Sequence, residues 1–485
     1  MTLELSKALI FVENFEQVNG FSIQNSINLA AGVSNEVTIV TLKQAPERVR
    51  NQFEKYLVAS GLDLLVDFQI LNTVVGLFEY HASASSILII VIGDVHVVHT
   101  SVGSKVSGRD ATRRTEIVSS DFARYQLLDR PESIAASIPV DTLIWLRKLK
   151  KKYGSNEIMS LIDQIKSLNV AVIGETILDE YIFTEALGKT SKDPMLAFLE
   201  QNSLLIGGGT LAVARHLSGL GIEHSLFTSF GMEDYALIKG FLDKYTSLLE
   251  VTDEDLLTIR KTRFIDSVTR MKLFELYRMK DANISEKVKE LLQSNLSLLD
   301  KTDVIMLFDY GHGYFDASSI NLLSQFASKV SANAQSNAGN RGLNSISKYK
   351  GFSSLFLNGS EVSNELRRRS LDLPTLVSEL TKTLECRNIF ITNGAGGLVC
   401  MNKESGVNLV PAFTPHIVDR TGAGDALMTL TSLMLKVGAP IEIAAFFGNV
   451  AGATVLGGIG NQISLNFDRI NLEIEAILHA QESAG

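Results

Sequence analysis

The stretch Asp419-Arg420-Thr421-Gly422-Ala423-Gly424-Asp425 decides which fold and chemistry the sequence predicts. It precedes a helix-like run from Ala426 to Lys436. Glycines at a loop-to-helix junction let backbone N–H groups approach a ligand closely, and the helix N-terminus adds positive potential. A carboxylate beside such a loop can accept the proton of a hydroxyl group. The stretch therefore predicts an anion cradle followed by a base, which is what phosphoryl transfer to an alcohol needs.

This heptad resembles D-T-x-G-A-G-D, the signature of the ribokinase-like (PfkB) carbohydrate kinases, with Arg420 in place of a threonine. The resemblance implies an α/β sandwich with a small β lid, ATP as the phosphoryl donor, and Mg²⁺ bridging the ATP phosphates. It also implies that Asp425 is the catalytic base and that Gly422, Ala423 and Gly424 hold the transferred group. For a Gly-x-Gly-Asp sequence alone, a simple turn before a helix is the alternative, so the upstream segments matter.

Two upstream segments resemble the sugar site of these kinases. Asp179 matches the aspartate that binds sugar hydroxyls, and a carboxylate suits this role because it accepts two hydroxyl hydrogen bonds at once. Glu175 stands where heptose kinases usually carry an aspartate. Gly208 and Gly209 belong to a segment that resembles the G-G-A-A-N-V-A element over the sugar. Ala212 replaces the substrate-contacting asparagine of that element, which leaves the identity of the substrate open.

Two further segments carry candidate substrate-binding residues. Lys261 and Arg263 resemble the K-T-R element of heptose kinases, and two residues so spaced on a strand point to the same face. Together they are candidates to bind a phosphate already on the sugar; a solvent-facing edge strand is the alternative. Asp309 resembles the start of the family's D-Y-x-K-G, with His312 replacing the lysine. Sugar binding and a helix N-cap are its two candidate roles.

The remaining kinase elements concern the nucleotide. Asn358 and Glu361 resemble the family's N-x-x-E pair. Thr392, Gly394 and Gly397 resemble its T-x-G-x-x-G loop, and Asn449 lies in a segment that resembles its adenine-lining helix. An amide and a carboxylate three residues apart at a strand end can face one metal hydration shell, so Glu361 is expected to contact Mg²⁺ through water. Residues 331–349 are rich in Asn, Ser and Gly and match no element of the family.

The kinase resemblance covers residues 160–485 and leaves residues 1–150 as a separate predicted domain. Apolar runs at 8–12, 36–41 and 87–92 predict strands of a Rossmann-like α/β domain. The segment that begins at Arg114 resembles the R-T-E-G-I-S-T-T element of cytidylyltransferase-like nucleotidyltransferases.

Those nucleotidyltransferases bind the triphosphate through an H-x-G-H motif. Here Asn19 and Ser22 stand in place of both histidines, and Phe21 replaces the glycine. The prediction is a degenerate transferase domain, and its alternatives are a retained nucleotide site or an unrelated Rossmann-like module. A kinase and such a domain on one chain resemble a bifunctional heptose kinase and adenylyltransferase with the domain order reversed. A non-catalytic regulatory or scaffold protein and an active bifunctional enzyme are the competing interpretations.

Composition limits the partners. With 54 acidic and 45 basic residues the net charge is −9, which argues against a nucleic-acid-coating surface. The N-terminus shows no signal-peptide pattern, and the longest apolar run is too short to span a membrane. Two cysteines suggest no disulfide framework, so a cytoplasmic location is expected. Because lid strands of these kinases often pair between subunits, a homodimer is expected as well.

Overall fold

The computed structural model describes the backbone of five strands between residues 7 and 119, and residues 138–280, 284–340, 343–368, 372–413 and 417–479. The chain divides into two compact units, Met1–Arg130 and Pro131–Gly485. Within the described ranges, no helix is both long and apolar enough to cross a bilayer.

The first unit contains a parallel five-stranded sheet of order β3-β2-β1-β4-β5. The strands are β1 (Lys7–Val12), β2 (Glu36–Thr41), β3 (Leu65–Ile70), β4 (Ser86–Ile92) and β5 (Arg114–Ser119). The three predicted strands are thus confirmed, and this strand order is typical of doubly wound α/β sheets. The motif positions Asn19, Phe21 and Ser22 lie outside the described residues.

The second unit is built on a nine-stranded sheet of order β10-β9-β6-β13-β14-β15-β16-β17-β18. Its first seven strands in that order are parallel, and the last two pair antiparallel. The strands are β6 (Val170–Gly174), β9 (His224–Gly231), β10 (Thr246–Asp253), β13 (Val304–Asp309), β14 (Val330–Ala334), β15 (Ser354–Asn358), β16 (Asn388–Thr392), β17 (Leu398–Asn402) and β18 (Gly406–Val410).

Helices cover both faces of this sheet. They are α1 (Val140–Tyr153), α2 (Ser155–Gln164), α3 (Thr210–Gly219), α4 (Tyr235–Gly240), α5 (Ser285–Ser294), α6 (Leu296–Lys301), α7 (Ala317–Ser324), α8 (Gly359–Leu366), α9 (Leu373–Leu384), α10 (Ala423–Lys436), α11 (Ile441–Val455) and α12 (Phe467–His479). One buried apolar cluster includes Leu430 of α10 and Phe446 of α11. The other includes Val288 of α5 and Leu323 of α7. Strands buried on both faces explain the continuous apolar runs in the sequence.

A four-stranded sheet of order β12-β11-β7-β8 forms the lid. Its strands are β7 (Thr176–Lys189), β8 (Leu196–Gly209), β11 (Ile259–Asp266) and β12 (Lys272–Arg278). Only Glu175 separates β6 of the main sheet from β7 of the lid, so the two sheets are joined at the end of an interior strand, the third of nine in the sheet order. Because β11 lies between β7 and β12, the edge-strand alternative for Lys261 and Arg263 is wrong.

Candidate active site

The predicted anion cradle, called the anion loop here (residues 419–424), leads into the start of α10. Gly422 is the N-cap residue with φ +81°, and an added Cβ would lie 2.0 Å from Asn461 Oδ1, so this position requires glycine. The first helical hydrogen bond runs from the N–H of Ala426 to the carbonyl of Gly422 (3.0 Å). The N–H groups of the preceding residues therefore have no partner within the helix and are suited to an anion. The helix begins three residues earlier than the predicted run, so Asp425 lies in its first turn.

Asp425 is a buried carboxylate beside this loop, with 7 % of the residue exposed. The hydroxyl of Tyr310 donates to its Oδ2 atom (3.2 Å). Burial raises the pKa of Asp425 to about 7, while the Tyr310 hydrogen bond and the charge of Lys261 act in the opposite direction. A carboxylate with a pKa near neutrality is suited to take a proton from an alcohol.

The carboxylate of Asp179 joins the lid to the anion loop. Its Oδ1 atom accepts from Arg263 (2.6 Å) and its Oδ2 atom accepts from Asn461 (3.0 Å). A Cβ added to Gly208 would lie 1.9 Å from the same Oδ2 atom. Asp179, Gly208 and Arg263, all predicted substrate residues, are thus brought together. Gly209 lies next to them as the N-cap of α3, with φ +56°.

Lys261 and Arg263, the two predicted phosphate-binding cations of β11, have different surroundings. Arg263 pairs with Asp179 and with Glu275 (2.9 Å), and its guanidinium lies 5.2 Å from the centre of the Tyr181 ring. Lys261 is buried, which lowers the pKa of its ammonium, and it lies 5.2 Å from the centre of the Tyr277 ring. Among the described residues Lys261 forms no ion pair, so it is the cation of the pair that is open to an anionic ligand.

A second contact ties the lid to the anion loop. Lys272 of β12 pairs with Oδ1 of Asp419 (2.7 Å), and the same oxygen accepts from the N–H of Thr421 (3.1 Å). The other oxygen of Asp419 accepts from the N–H of Gly460 (3.0 Å). The first residue of the heptad therefore fixes the shape of the loop instead of facing a ligand.

Asp309 is the last residue of β13 and directly precedes Tyr310, which contacts Asp425. It accepts hydrogen bonds from Tyr349 (2.8 Å) and pairs with Lys348. The nearest following helix, α7, is capped by Asp316, so the N-cap alternative for Asp309 is wrong. Asp309 lines a cavity of about 650 Å³ that Asp425 and Asp179 do not line.

Glu175 and His312 line the same cavity. Burial raises the pKa of Glu175 to about 7, and the charge of Asp309 adds to this rise. Burial lowers the pKa of His312 to about 4, with a further contribution from Lys261, so the imidazole is neutral at pH 7.

The predicted nucleotide residues lie at the ends of β15 and β16 and on α11. Asn358 and Glu361 cap α8 reciprocally, with the N–H of each bonded to the other's side chain at 2.7 and 2.9 Å. Burial raises the pKa of Glu361 to about 7. No group of three or more candidate metal-ligating side chains occurs in the described ranges.

The other nucleotide residues shape the backbone. Thr392 ends β16, and Gly394 and Gly397 follow it with φ of +54° and +82°. The side chain of Asn449 donates to the carbonyl of Pro411 (3.0 Å). Sequence reasoning missed Tyr310, Asn461 and Lys272, because their partners lie more than 100 residues away along the chain.

The close packing at Gly422 generates a prediction that needs no substrate. We expect Gly422→Ala to lower the free energy of unfolding by about 1–3 kcal/mol, because the new methyl group meets Asn461 and the positive φ disfavours any Cβ. Gly424→Ala is the matched control, because no atom lies within 4 Å of its added Cβ. Urea unfolding of both variants measures the difference. Equal stability of the two variants would contradict the described loop.

The model of the pfkB family carbohydrate kinases matches residues 167–467. The bifunctional protein HldE of Nitrobacter hamburgensis is 25 % identical over 308 residues, 61 % of each chain. HldE of Nitrobacter winogradskyi is 26 % identical over 325 residues, 64 % of this chain and 65 % of the relative. The chain therefore spans less than two thirds of these relatives.

Solved structures share the fold. Ribokinase from Thermotoga maritima superposes with a TM-score of 0.51 at 21 % identity, over 64 % of this chain and 99 % of the other. Phosphofructokinase-2 from Escherichia coli, in complex with substrates and products, superposes with a TM-score of 0.52 at 14 % identity over the same shares. The predicted ribokinase-like α/β fold is confirmed, and the chain belongs to the pfkB family of carbohydrate kinases.

Proposed function

We propose that the chain is an ATP-dependent kinase that phosphorylates a hydroxyl of a sugar or sugar phosphate. The observation that carries this proposal is the burial of Asp425 in the first turn of α10, beside N–H groups without helical partners. The base and the anion site thereby lie next to one another. Membership of the pfkB family supports the same chemistry.

In the proposed reaction Asp425 accepts the proton of the acceptor hydroxyl while that oxygen attacks the terminal phosphorus. The N–H groups of Gly422, Ala423 and Gly424 hold the transferred phosphoryl group, whose charge they stabilise without reorganisation. Lys272 and Asp419 hold the lid against the loop.

The proposed acceptor is a phosphorylated sugar, of the heptose-phosphate class. Asp179 and the backbone at Gly208 and Gly209 bind its hydroxyls, with Asp309 as a further acceptor. Lys261 is proposed to bind its phosphate, because Arg263 is already paired with two carboxylates. The resemblance of Lys261 and Arg263 to the K-T-R element of heptose kinases supports a heptose-phosphate acceptor.

The proposed donor site takes ATP with Mg²⁺, through Asn358, Glu361, Thr392, Gly394, Gly397 and Asn449. Both oxygens of Glu361 already accept backbone N–H groups, from Ser336 and Asn358. Lone pairs that remain can accept from water, so the pair fits a hydrated metal ion better than direct coordination. When bound, Mg²⁺ would neutralise charge that develops on the phosphates.

A homodimer through the lid is part of the proposal. Phe274 and Leu276 of β12 expose 53 % and 57 % of their surface, and Phe274 stacks on Phe264 of β11 at 4.3 Å. An exposed apolar sheet face of this kind is suited to a second copy of the chain. A cytoplasmic location is also proposed, since both cysteines are free and buried. The domain limits 1–150 and 160–485 remain predictions.

Replacement of the base is the first test. We expect Asp425→Asn to lower kcat by about 10²–10⁴-fold while ATP affinity, measured by calorimetry, changes little. Because the base acts as the carboxylate and its pKa is about 7, kcat/KM of the unmodified protein should fall as the pH drops through that value. Asp300→Asn is the control, because it makes the same change at an exposed position of α6. Turnover of Asp425→Asn within about threefold of the unmodified protein would reject Asp425 as the base and leave a non-catalytic role.

Asp179 generates a prediction about sugar affinity. Asp179→Asn keeps the shape of the side chain but removes a charged acceptor, a loss that is typically about 10-fold or more in binding. We expect the sugar KM to rise by that factor and the ATP KM to stay nearly constant. Glu275→Gln removes the other acidic partner of Arg263 and is the control. An unchanged sugar KM would limit Asp179 to a structural role.

The first unit is proposed to lack nucleotidyl transfer, because Asn19 and Ser22 supply no positive charge to the leaving pyrophosphate. We expect no pyrophosphate release when the full chain is incubated with CTP or ATP and a panel of sugar 1-phosphates. Kinase turnover of the same preparation is the positive control. Pyrophosphate release above background would instead support a bifunctional enzyme.

A further inference from the structure

The Asn-rich stretch that matches no family element contacts the backbone carbonyl of Tyr310. The side-chain amides of Asn337 and Asn340 both donate to the carbonyl of Tyr310, at 2.6 and 2.9 Å. A Cβ added to Gly311 would lie 1.9 Å from Asn340 Nδ2, and Gly311 has φ +74°. Glycine after Tyr310 is thus what lets the asparagines approach this closely.

The N–H side of the same residue is held by a buried carboxylate. Glu175 accepts from the N–H of Tyr310 (2.9 Å) and from the N–H of His312 (3.0 Å). The backbone N–H and the backbone carbonyl of Tyr310 are therefore both held by side chains, and these come from two distant segments of the chain. Such a fully bonded buried network is rigid.

The side chain of Tyr310 is 2 % exposed and runs from this clamp to the base. Its hydroxyl donates to Asp425 Oδ2, and burial raises the pKa of the phenol well above its usual value, so the proton stays on the tyrosine. A carboxylate held at one oxygen has a fixed orientation, and its Oδ1 atom stays available to a substrate hydroxyl.

We propose that Tyr310 is a positioning residue for the base: held by Glu175, Asn337 and Asn340, it orients Asp425 through the phenol-to-carboxylate hydrogen bond. The proposal rests on the proposed kinase function. It assigns the unmatched stretch around residues 337–340 to the catalytic apparatus, although none of its side chains contacts Asp425.

Tyr310→Phe tests the contact, with Tyr314→Phe as the matched control. Both tyrosines are buried, but the Tyr314 hydroxyl has no hydrogen-bond partner in the described part of the chain. The other charges that act on Asp425, from Lys261, Asp179 and Glu361, are the same in both variants. Loss of a donor to a carboxylate disfavours the charged form. We expect the acidic limb of the kcat/KM profile to move by about one pH unit to higher pH in Tyr310→Phe alone.

Two outcomes overturn the proposal: an acidic limb of Tyr310→Phe within about 0.3 unit of the unmodified protein, or an equal shift in Tyr314→Phe. Asn337→Ala tests the clamp and should shift the limb in the same direction by a smaller amount. No shift in Asn337→Ala would remove the asparagines from the proposal. Thermal unfolding of each variant verifies that it is folded.

A direct titration separates this proposal from the proposed function. In the full chain labelled with ¹³C at aspartate carboxyl carbons, the Asp425 resonance is assigned by its loss in Asp425→Asn. The titration midpoint of this resonance should move to higher pH in Tyr310→Phe and should not change in Tyr314→Phe. If no sugar is phosphorylated, the kinase function fails, but this titration still decides whether Tyr310 controls Asp425.

Discussion

The buried carboxylate of Asp179 is the constraint on which the second unit depends. Its two oxygens bind Arg263 of the lid and Asn461 of the loop after α11, and Asn461 in turn packs against Gly422. Loss of Arg263 would leave the buried carboxylate of Asp179 without its ion-pair partner, at a typical cost of about 3–5 kcal/mol. Asp179 therefore links the lid, Gly208 and the anion loop, and the Lys272–Asp419 pair adds a second link between the lid and the loop.

That constraint follows from the way the sheets are joined. Only one residue separates β6 from β7, so the lid leaves the main sheet at an interior strand. Asp179 is the fourth residue of β7. Strand alternation then places Asp179 and Tyr181 on the face that meets Lys261 and Arg263 of β11. Gly208 of the antiparallel neighbour β8 pairs with Ile177, two residues before Asp179. Glycine is required there because an added Cβ would lie 1.9 Å from Asp179 Oδ2.

Much of this arrangement could be predicted from the sequence, because its motifs are local. The anion loop, the strand that carries Asp179 and the lid strand with Lys261 each lie within a few residues that form one element. The spacing of Lys261 and Arg263 along a strand predicts that they share a face, but it does not predict which carboxylates pair with Arg263. Arg263 pairs with Asp179 and Glu275 because both lie on neighbouring strands, and strand pairing is a property of the fold rather than of the segment.

Several departures from the family motifs lie together, although Arg420 and Ala212 belong to other segments. Glu175 in place of an aspartate, His312 in place of a lysine and the unmatched asparagines all contact the backbone of residues 310–312 or belong to it. The Gly-Ala-Gly-Asp loop and Asp179 keep the family pattern. This group of departures therefore lies at or beside the cavity lined by Glu175 and Asp309, next to Tyr310, which contacts the base. The residues that support the base thus differ from the family pattern, whereas the glycines proposed to hold the phosphoryl group keep it.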